Sequence, residues 1–280
     1  MSDPLVSTHW LAERLRDPAV QVVDATMFMA GDPRSGRADY EAAHIPGAIF
    51  FDIDKIADPA TDLPHMLPAP EAFAEAAGAL GLRRDTHIVV YDGHGLFSAP
   101  RVWWTLRTMR FGQVSVLDGG LPKWRAEGRP VEATLPAPQA TVLAAAYEPA
   151  LVRDIDAVRE LLATGQAQLV DARAAPRFRG ETPEPRAGLR AGHMPGARNL
   201  PFDALLTADK TLKSAAEIRV LFEGAGIDLT QPIVTTCGSG VTAAVLALGL
   251  ARIGREDVAV YDGSWTEWGG RTDTAVVRGS

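Results

Sequence analysis

At 280 residues the chain is longer than one typical hydrophobic core serves, so two domains of roughly 130 to 150 residues are expected. Hydrophobic residues make up 46% and charged residues 22%, with 20 prolines and 26 glycines spread along the chain, which excludes a largely disordered polypeptide. Lys plus Arg is 28 against 35 for Asp plus Glu, a formal net charge of -7, so the molecule offers no basic field to nucleic acid.

The N-terminal MSDPLVSTHWLAERL carries neither a basic n-region nor an apolar h-region, and no stretch reaches the ~18 apolar residues of a membrane span. A soluble, cytoplasmic protein is the expectation. In chain order, VQVVD (20–24) reads as a strand, APEAFAEAAGAL (69–80) as a helix, THIVVYD (86–92) as a strand and VSVLD (114–118) as another. Residues 131–148, VEATLPAPQATVLAAAYE, show no clean period and contain a Pro-Ala-Pro step, as an interdomain linker does. After it come AQLVD (167–171), the helical SAAEIRVLFEGAG (214–226), the strand IVTT (233–236), a long apolar helix VTAAVLALGLARIG (241–254) and VAVYD (258–262).

The second series repeats the first. VQVVDATMFM matches AQLVDARAAP, YEAAHIPGAIFFD matches LRAGHMPGARNLPFD, THIVVYDGHG matches QPIVTTCGSG, and VSVLDGGLPKW matches VAVYDGSWTEW. The separations are 147 for Asp24 and Asp171, 149 for His44 and His193, 145 for Asp92 and Cys237, and 144 for Asp118 and Asp262. Four ordered matches at a nearly constant offset mean a duplicated domain. The expected boundaries are 1–130, a linker over 131–148, and 149–280. Strands alternating with helices give each half a mostly parallel sheet flanked by helices, an α/β fold.

The chain has a single cysteine, Cys237, so it forms no intramolecular disulfide and is either a small buried hydrophobe or a working thiol. The repeat provides a control, because its counterpart is the charged Asp92. A gap-filling residue would be matched by a small apolar one. Asp92 is expected to satisfy the N–H groups of its own loop as a fixed anion, without chemistry. Cys237-Gly238-Ser239-Gly240 links a strand to a helix at the carboxyl edge of a parallel sheet, where open α/β sheets hold ligands. Gly238 and Gly240 let successive N–H groups curl round the sulfur at a helix N-terminus, a setting that favours negative charge.

Phosphoryl and sulfur transfer both use such a cradle. A C-x5-R phosphatase needs a guanidinium six residues after the cysteine, where this chain has Ala243, and the loop contains no Arg. A persulfide needs only the N–H groups. With HIPGA and HMPGA ahead of the two loops, CGSGVTA in the second, YDGSWTEWGG near the end, and FFDID, PHMLP and LFSAPRVWW in the first half, the whole chain resembles the two-domain rhodanese superfamily.

The resemblance implies two tandem rhodanese-like domains, the second catalytic, and a double displacement through a persulfide on Cys237. The loop is similar to those of members using 3-mercaptopyruvate, a donor with one carboxylate and a thiol. Thiosulfate users carry basic residues where this chain has Gly238 and Ser239. The implied acceptors are small thiols, thioredoxin or cyanide. Arg177 and Arg186 are implied to grip the donor's carboxylate and carbonyl, with Arg173, Arg179 and Arg190 as neighbouring alternatives. Gly238, Gly240, Val241 and Thr242 are implied to line the cradle. A proton relay is implied from Ser239 through His44 to an acid, assigned to Asp32 with Asp39 and Glu41 as competitors. Against this stands a structural role for His44 shared with His193, since Pro-Gly-Ala follows both.

Asp24, Asp171, Asp118 and Asp262 read as strand-end and turn structure, and Trp265 and Trp268 as core or pocket wall. The six histidines show no ligand spacing, so neither a metal nor an organic cofactor is expected. Two other readings stay open: a thiosulfate sulfurtransferase, and a noncatalytic thiol sensor or sulfur-carrier partner.

Overall fold

A computed structural model describes residues 3–29, 31–137 and 139–279. The first half runs β1 (Leu5–Val6), α1 (Thr8–Ala12), β2 (Val20–Asp24), α2 (Gly36–Ala42), β3 (Ile49–Phe50), α3 (Pro70–Ala79), β4 (His87–Tyr91), α4 (Ala99–Thr108), β5 (Val114–Leu117) and α5 (Gly120–Ala126). The second half repeats it with β6 (Val152–Arg153), α6 (Ile155–Thr164), β7 (Gln168–Asp171), α7 (Ala175–Phe178), β8 (Arg198–Asn199), α8 (Ala215–Gly224), β9 (Ile233–Thr236), α9 (Ala243–Arg252), β10 (Ala259–Tyr261) and α10 (Ser264–Gly270). The sheets have the orders β1-β5-β4-β2-β3 and β6-β10-β9-β7-β8, position for position the same, and every pairing is parallel.

Local chemistry sets the helix ends. The Asp154 carboxylate accepts the Ala157 N–H at 2.8 Å to start α6, which stops at Gly165 with φ +68°. Ser214 and Glu217 form a reciprocal capping box on α8. Helix α9 is buried from Ala243 to Ala251, as its apolar run on every face requires.

In the first half Leu11, Tyr40, Leu121 and Trp124 from three helices pack with Val22, Val89 and Leu117 of the strands. In the second, Val158, Leu161, Trp265 and Trp268 pack with Leu169, Val234, Ala259 and Tyr261. Trp265 and Trp268 are core residues.

The chain divides into two compact units, and the division is not a single cut. One contains Met1–Asp58, Leu67–Glu148 and Leu206–Leu212; the other contains Pro59–Met66, Pro149–Leu205 and Lys213–Ser280. Each half lends a short segment to the other's unit. Asp118 holds one of them, its carboxylate accepting the Leu212 N–H at 2.8 Å. The stretch read as a linker is bound along the first unit. Thr141 N donates to the Gly78 carbonyl at 2.9 Å, Arg84 reaches the Ala144 carbonyl at 3.1 Å, and Glu148 N donates to the Thr108 carbonyl at 2.8 Å. Without helix or strand of its own, this backbone finds partners there. Pro138 of the Pro-Ala-Pro step lies outside the described residues.

Candidate active site

The turn between β9 and α9 carries the thiol. Cys237 and Ser239 are both buried, and Gly240 takes the left-handed φ of +76° that turns the chain into the helix. Ser264, at the start of α10, pins the loop from below. Its hydroxyl oxygen accepts the N–H of Cys237 at 3.2 Å and of Gly240 at 3.1 Å, while its O–H donates to the Tyr261 carbonyl at 2.8 Å. Trp265 N donates to the Cys237 carbonyl at 3.0 Å, and the Thr266 N–H and hydroxyl both donate to the Gly238 carbonyl. The N–H of Gly240 is therefore turned to Ser264, and its contribution is the turn. Val241 is buried, and Thr242 stands at the N-cap position of α9 without a side-chain capping bond among the described residues.

Arg177 on α7 reaches the other side of the loop. Its Nη2 lies 3.3 Å from the point a Cβ on Gly238 would occupy, so the absent side chain at 238 makes room for the guanidinium. Arg177 is held from behind by Glu184, through Nη2 at 2.5 Å and Nε at 3.3 Å.

The neighbouring arginines are committed elsewhere. Arg173 is buried, bound to both Asp171 oxygens, to Glu184 and to the Gly192 carbonyl, with its guanidinium 4.3 Å above the Trp265 ring. Burial alone would favour its neutral form, but Asp171 and Glu184 more than offset this and keep it charged. Arg190 binds carbonyls of Trp268, Gly269 and Thr274, and Arg179 pairs with Glu181 at the surface. Arg186 has Nη2 3.5 Å from Nε2 of His65, a residue in the segment lent by the first half. Sequence reading passed over Glu184, Ser264 and His65. The first stands inside PEPR between the two candidate arginines, and the second replaces Gly120 in the repeat.

The proposed acid partner of His44 needs correction. Asp32 is forked onto the exposed Arg34 at 3.0 and 2.7 Å, which draws its carboxyl down to about 2, and it makes no bond to His44. Asp32 sits two residues from Arg34 in an exposed turn, and local pairing captures it. His44 is fully buried. Its Nδ1–H donates to the Tyr40 carbonyl at 2.7 Å, its ring stacks on Tyr40, and its Nε2, without a hydrogen-bond partner among the described residues, is 4.0 Å from the Glu132 carboxylate. His193 repeats this construction with the Phe178 carbonyl at 2.8 Å and the Phe178 ring. Both histidines also bridge backbone to a later segment, His44 to Glu132 and His193 to Val277. The two histidines are therefore held in the same way within their own units.

The Asp92 loop matches its expectation. The carboxylate accepts N–H groups of His94, Phe97, Ser98 and Ala99 at 2.8 to 2.9 Å, filling the cradle of the β4–α4 turn with a fixed charge.

Comparison with known proteins agrees with this geometry. The Rhodanese-like domain family matches twice, over residues 7–127 and 154–271. The 3-mercaptopyruvate sulfurtransferase of Escherichia coli (strain K12) is 45% identical, over 97% of this chain and 96% of that protein. Thiosulfate/3-mercaptopyruvate sulfurtransferase 2 of Arabidopsis thaliana is 44% identical, over 100% of this chain and 88% of its own. Among solved structures, SseA from Escherichia coli, described as having the rhodanese fold of 3-mercaptopyruvate sulfotransferases, superposes with a TM-score of 0.87 at 42% identity, covering 94% of this chain and 99% of that one. The duplicated parallel sheets, the thiol in the second strand-to-helix turn and these likenesses together place the chain in the two-domain rhodanese family.

Proposed function

We propose that this chain is a sulfurtransferase that carries the sulfur of 3-mercaptopyruvate, as a persulfide on Cys237, to a thiol or to cyanide. The observation that carries the reading is a buried thiol in the β9–α9 turn with the Arg177 guanidinium against the next residue, Gly238, and no charged residue in the turn itself. The Cys237 thiolate attacks the donor sulfur. The carbon–sulfur bond breaks, its electron pair enters the pyruvate enolate, and protonation of that carbon gives pyruvate. An acceptor thiolate or cyanide then takes the outer sulfur and returns Cys237 as thiolate.

In this reading Arg177 and Arg186 receive the donor's carboxylate and carbonyl, Ser239 handles a proton beside the thiol, and the N–H groups of Gly238 and Thr242 solvate the persulfide. Thioredoxin or a small thiol serves as acceptor, and the second half is the catalytic one. A reducing compartment, the cytoplasm, suits a thiol that must return to its free form each cycle. No described helix is long and apolar enough to cross a membrane.

The test is steady-state kinetics with 3-mercaptopyruvate and with thiosulfate against one acceptor, with intact-mass detection of one added sulfur on Cys237. A strong preference for mercaptopyruvate and a loaded Cys237 support the reading. Preference for thiosulfate removes the donor assignment, and failure of either to load Cys237 leaves a binding or sensing member of the fold. In the same assay Arg186→Ala is expected to raise KM for mercaptopyruvate by roughly tenfold and to change that for thiosulfate much less; equal effects remove Arg186 from carboxylate recognition.

A further inference from the structure

Strand β7 ends in Asp171, and from there a row of alternating charges runs to the Cys237 loop. Asp171 accepts from Nε and Nη2 of Arg173 at 2.7 to 3.1 Å, Arg173 Nη1 donates to Glu184 Oε1 at 2.9 Å, and Glu184 Oε2 accepts from Arg177 Nη2 at 2.5 Å. Arg177 then faces Gly238. The Asp171, Arg173 and Glu184 side chains are each 1% exposed, and Arg177 is 28% exposed. The row begins on the sheet and opens only at its last member. Its four charges sum to zero.

Glu184 is the joint of this row. Its carboxylate occupies the Nε–Nη2 edge of Arg177, which leaves Nη1 without a hydrogen bond among the described residues. Among the described residues the first half has no such row, and Thr26 stands where Arg173 does. Asp24 there accepts the Thr26 N–H, and the Thr26 hydroxyl accepts the N–H of Gly93, the counterpart of Gly238. The arginines and Glu184 thus accompany the thiol-bearing loop alone.

Resting on the mercaptopyruvate reading, we propose that Glu184 is a positioning and donor-selecting residue: its buried carboxylate fixes Arg177 against the Cys237 loop and cancels one positive charge there, so that a monoanionic donor is taken ahead of a dianion such as thiosulfate. A row of zero net charge gives a second negative charge on the donor nothing to meet, whereas a fixed guanidinium still forms directed hydrogen bonds to one carboxylate.

The experiment measures kcat/KM for both donors in wild type, Glu184→Gln, Glu184→Asp and Arg177→Gln, with circular dichroism and thermal melts as a fold check. Glu184→Gln keeps the shape and removes the charge, and is expected to lower the mercaptopyruvate-to-thiosulfate ratio by roughly tenfold. Glu184→Asp keeps the charge and is expected to hold the ratio while raising KM for both donors alike. Arg177→Gln leaves the row one negative charge in excess, with Glu184 still bound to Arg173, and is expected to shift the ratio the opposite way from Glu184→Gln. That reciprocal variant decides the matter even if Glu184→Gln does not fold. Equal losses for the two donors in folded Glu184→Gln or Arg177→Gln, or shifts in the same direction for these two variants, would overturn the proposal. Either result leaves the mercaptopyruvate reading intact provided wild type prefers that donor. If wild type prefers thiosulfate, the selection by Glu184 and the donor assignment are both overturned, and if neither donor loads Cys237 the sulfur-transfer reading fails with them.

Discussion

The β4–α4 and β9–α9 turns occupy the same place in two sheets of identical order, yet one ends in a carboxylate and the other in a thiol. The scaffolds agree in detail: Leu121 N donates to the Asp92 carbonyl at 3.0 Å, and Trp265 N to the Cys237 carbonyl at the same distance. In the first turn four N–H groups close on Asp92. In the second the corresponding residue ends in a sulfur atom, Ser264 accepts the N–H groups of Cys237 and Gly240, and Arg177, backed by Glu184, stands against Gly238. The strand-to-helix turn is thus a property of the fold, and what the two halves change is the side chain it carries, a carboxylate that binds four N–H groups in one and a thiol in the other.

The largest effect expected from this comparison comes from the nucleophile. Cys237→Ser lowers transfer by roughly 10⁴-fold or more, because a hydroxyl at its ordinary pKa is a poor nucleophile, while the melting temperature changes little. Adding Asp92→Cys to that variant is expected to restore nothing, since the first turn has Thr26 in place of Arg173 and no counterpart of the row behind Arg177. Turnover of either donor by the double variant would show that the turn alone suffices.

The next effect concerns stability. Asp92→Ala leaves four N–H groups without their acceptor in a buried turn and is expected to cost about 3 kcal/mol, read as a lower denaturant midpoint. A loss well under ~1 kcal/mol would mean that water satisfies the loop and that Asp92 is not the anion the fold requires there.

Much of this was legible in the chain. The duplication, the strands ending in Asp171 and Asp24, the apolar α9 and the Cys237–Asp92 contrast follow from periodicity and from one half read against the other. Glu184 was not, because its neighbours in PEPR suggest a solvated surface turn, and only the folded chain shows its side chain enclosed between two guanidinium groups. The exchange of 59–66 and 206–212 between units leaves no mark in local pattern either. Asp32 misled for the converse reason. The resemblance implies an acid for His44 without fixing its position in a segment of variable length, and a two-residue step to Arg34 captures Asp32. Long-range burial decides which charges are available, and periodicity reports only which faces are apolar.

The smallest expected effect separates strain from function at one pair of positions. Gly120 and Ser264 share a left-handed backbone, φ +52° and +50°. In the first half a Cβ there would meet the Asp92 carbonyl oxygen at 2.5 Å and the Gly95 oxygen at 2.8 Å, so only glycine fits. In the second half a serine takes the same strained conformation and is fully buried, and its oxygen receives the Cys237 and Gly240 N–H groups. Ser264→Gly relieves about 1 kcal/mol of backbone strain and gives up hydrogen bonds of similar worth, so net stability should move by less than about 1 kcal/mol. Turnover should nonetheless fall several-fold, because the peptide N–H groups flanking the thiol lose the acceptor that aims them. A variant with unchanged turnover would assign the loop's shape to Gly240 and the Trp265 and Thr266 contacts alone, and would make the strain at Ser264 a relic of the duplication.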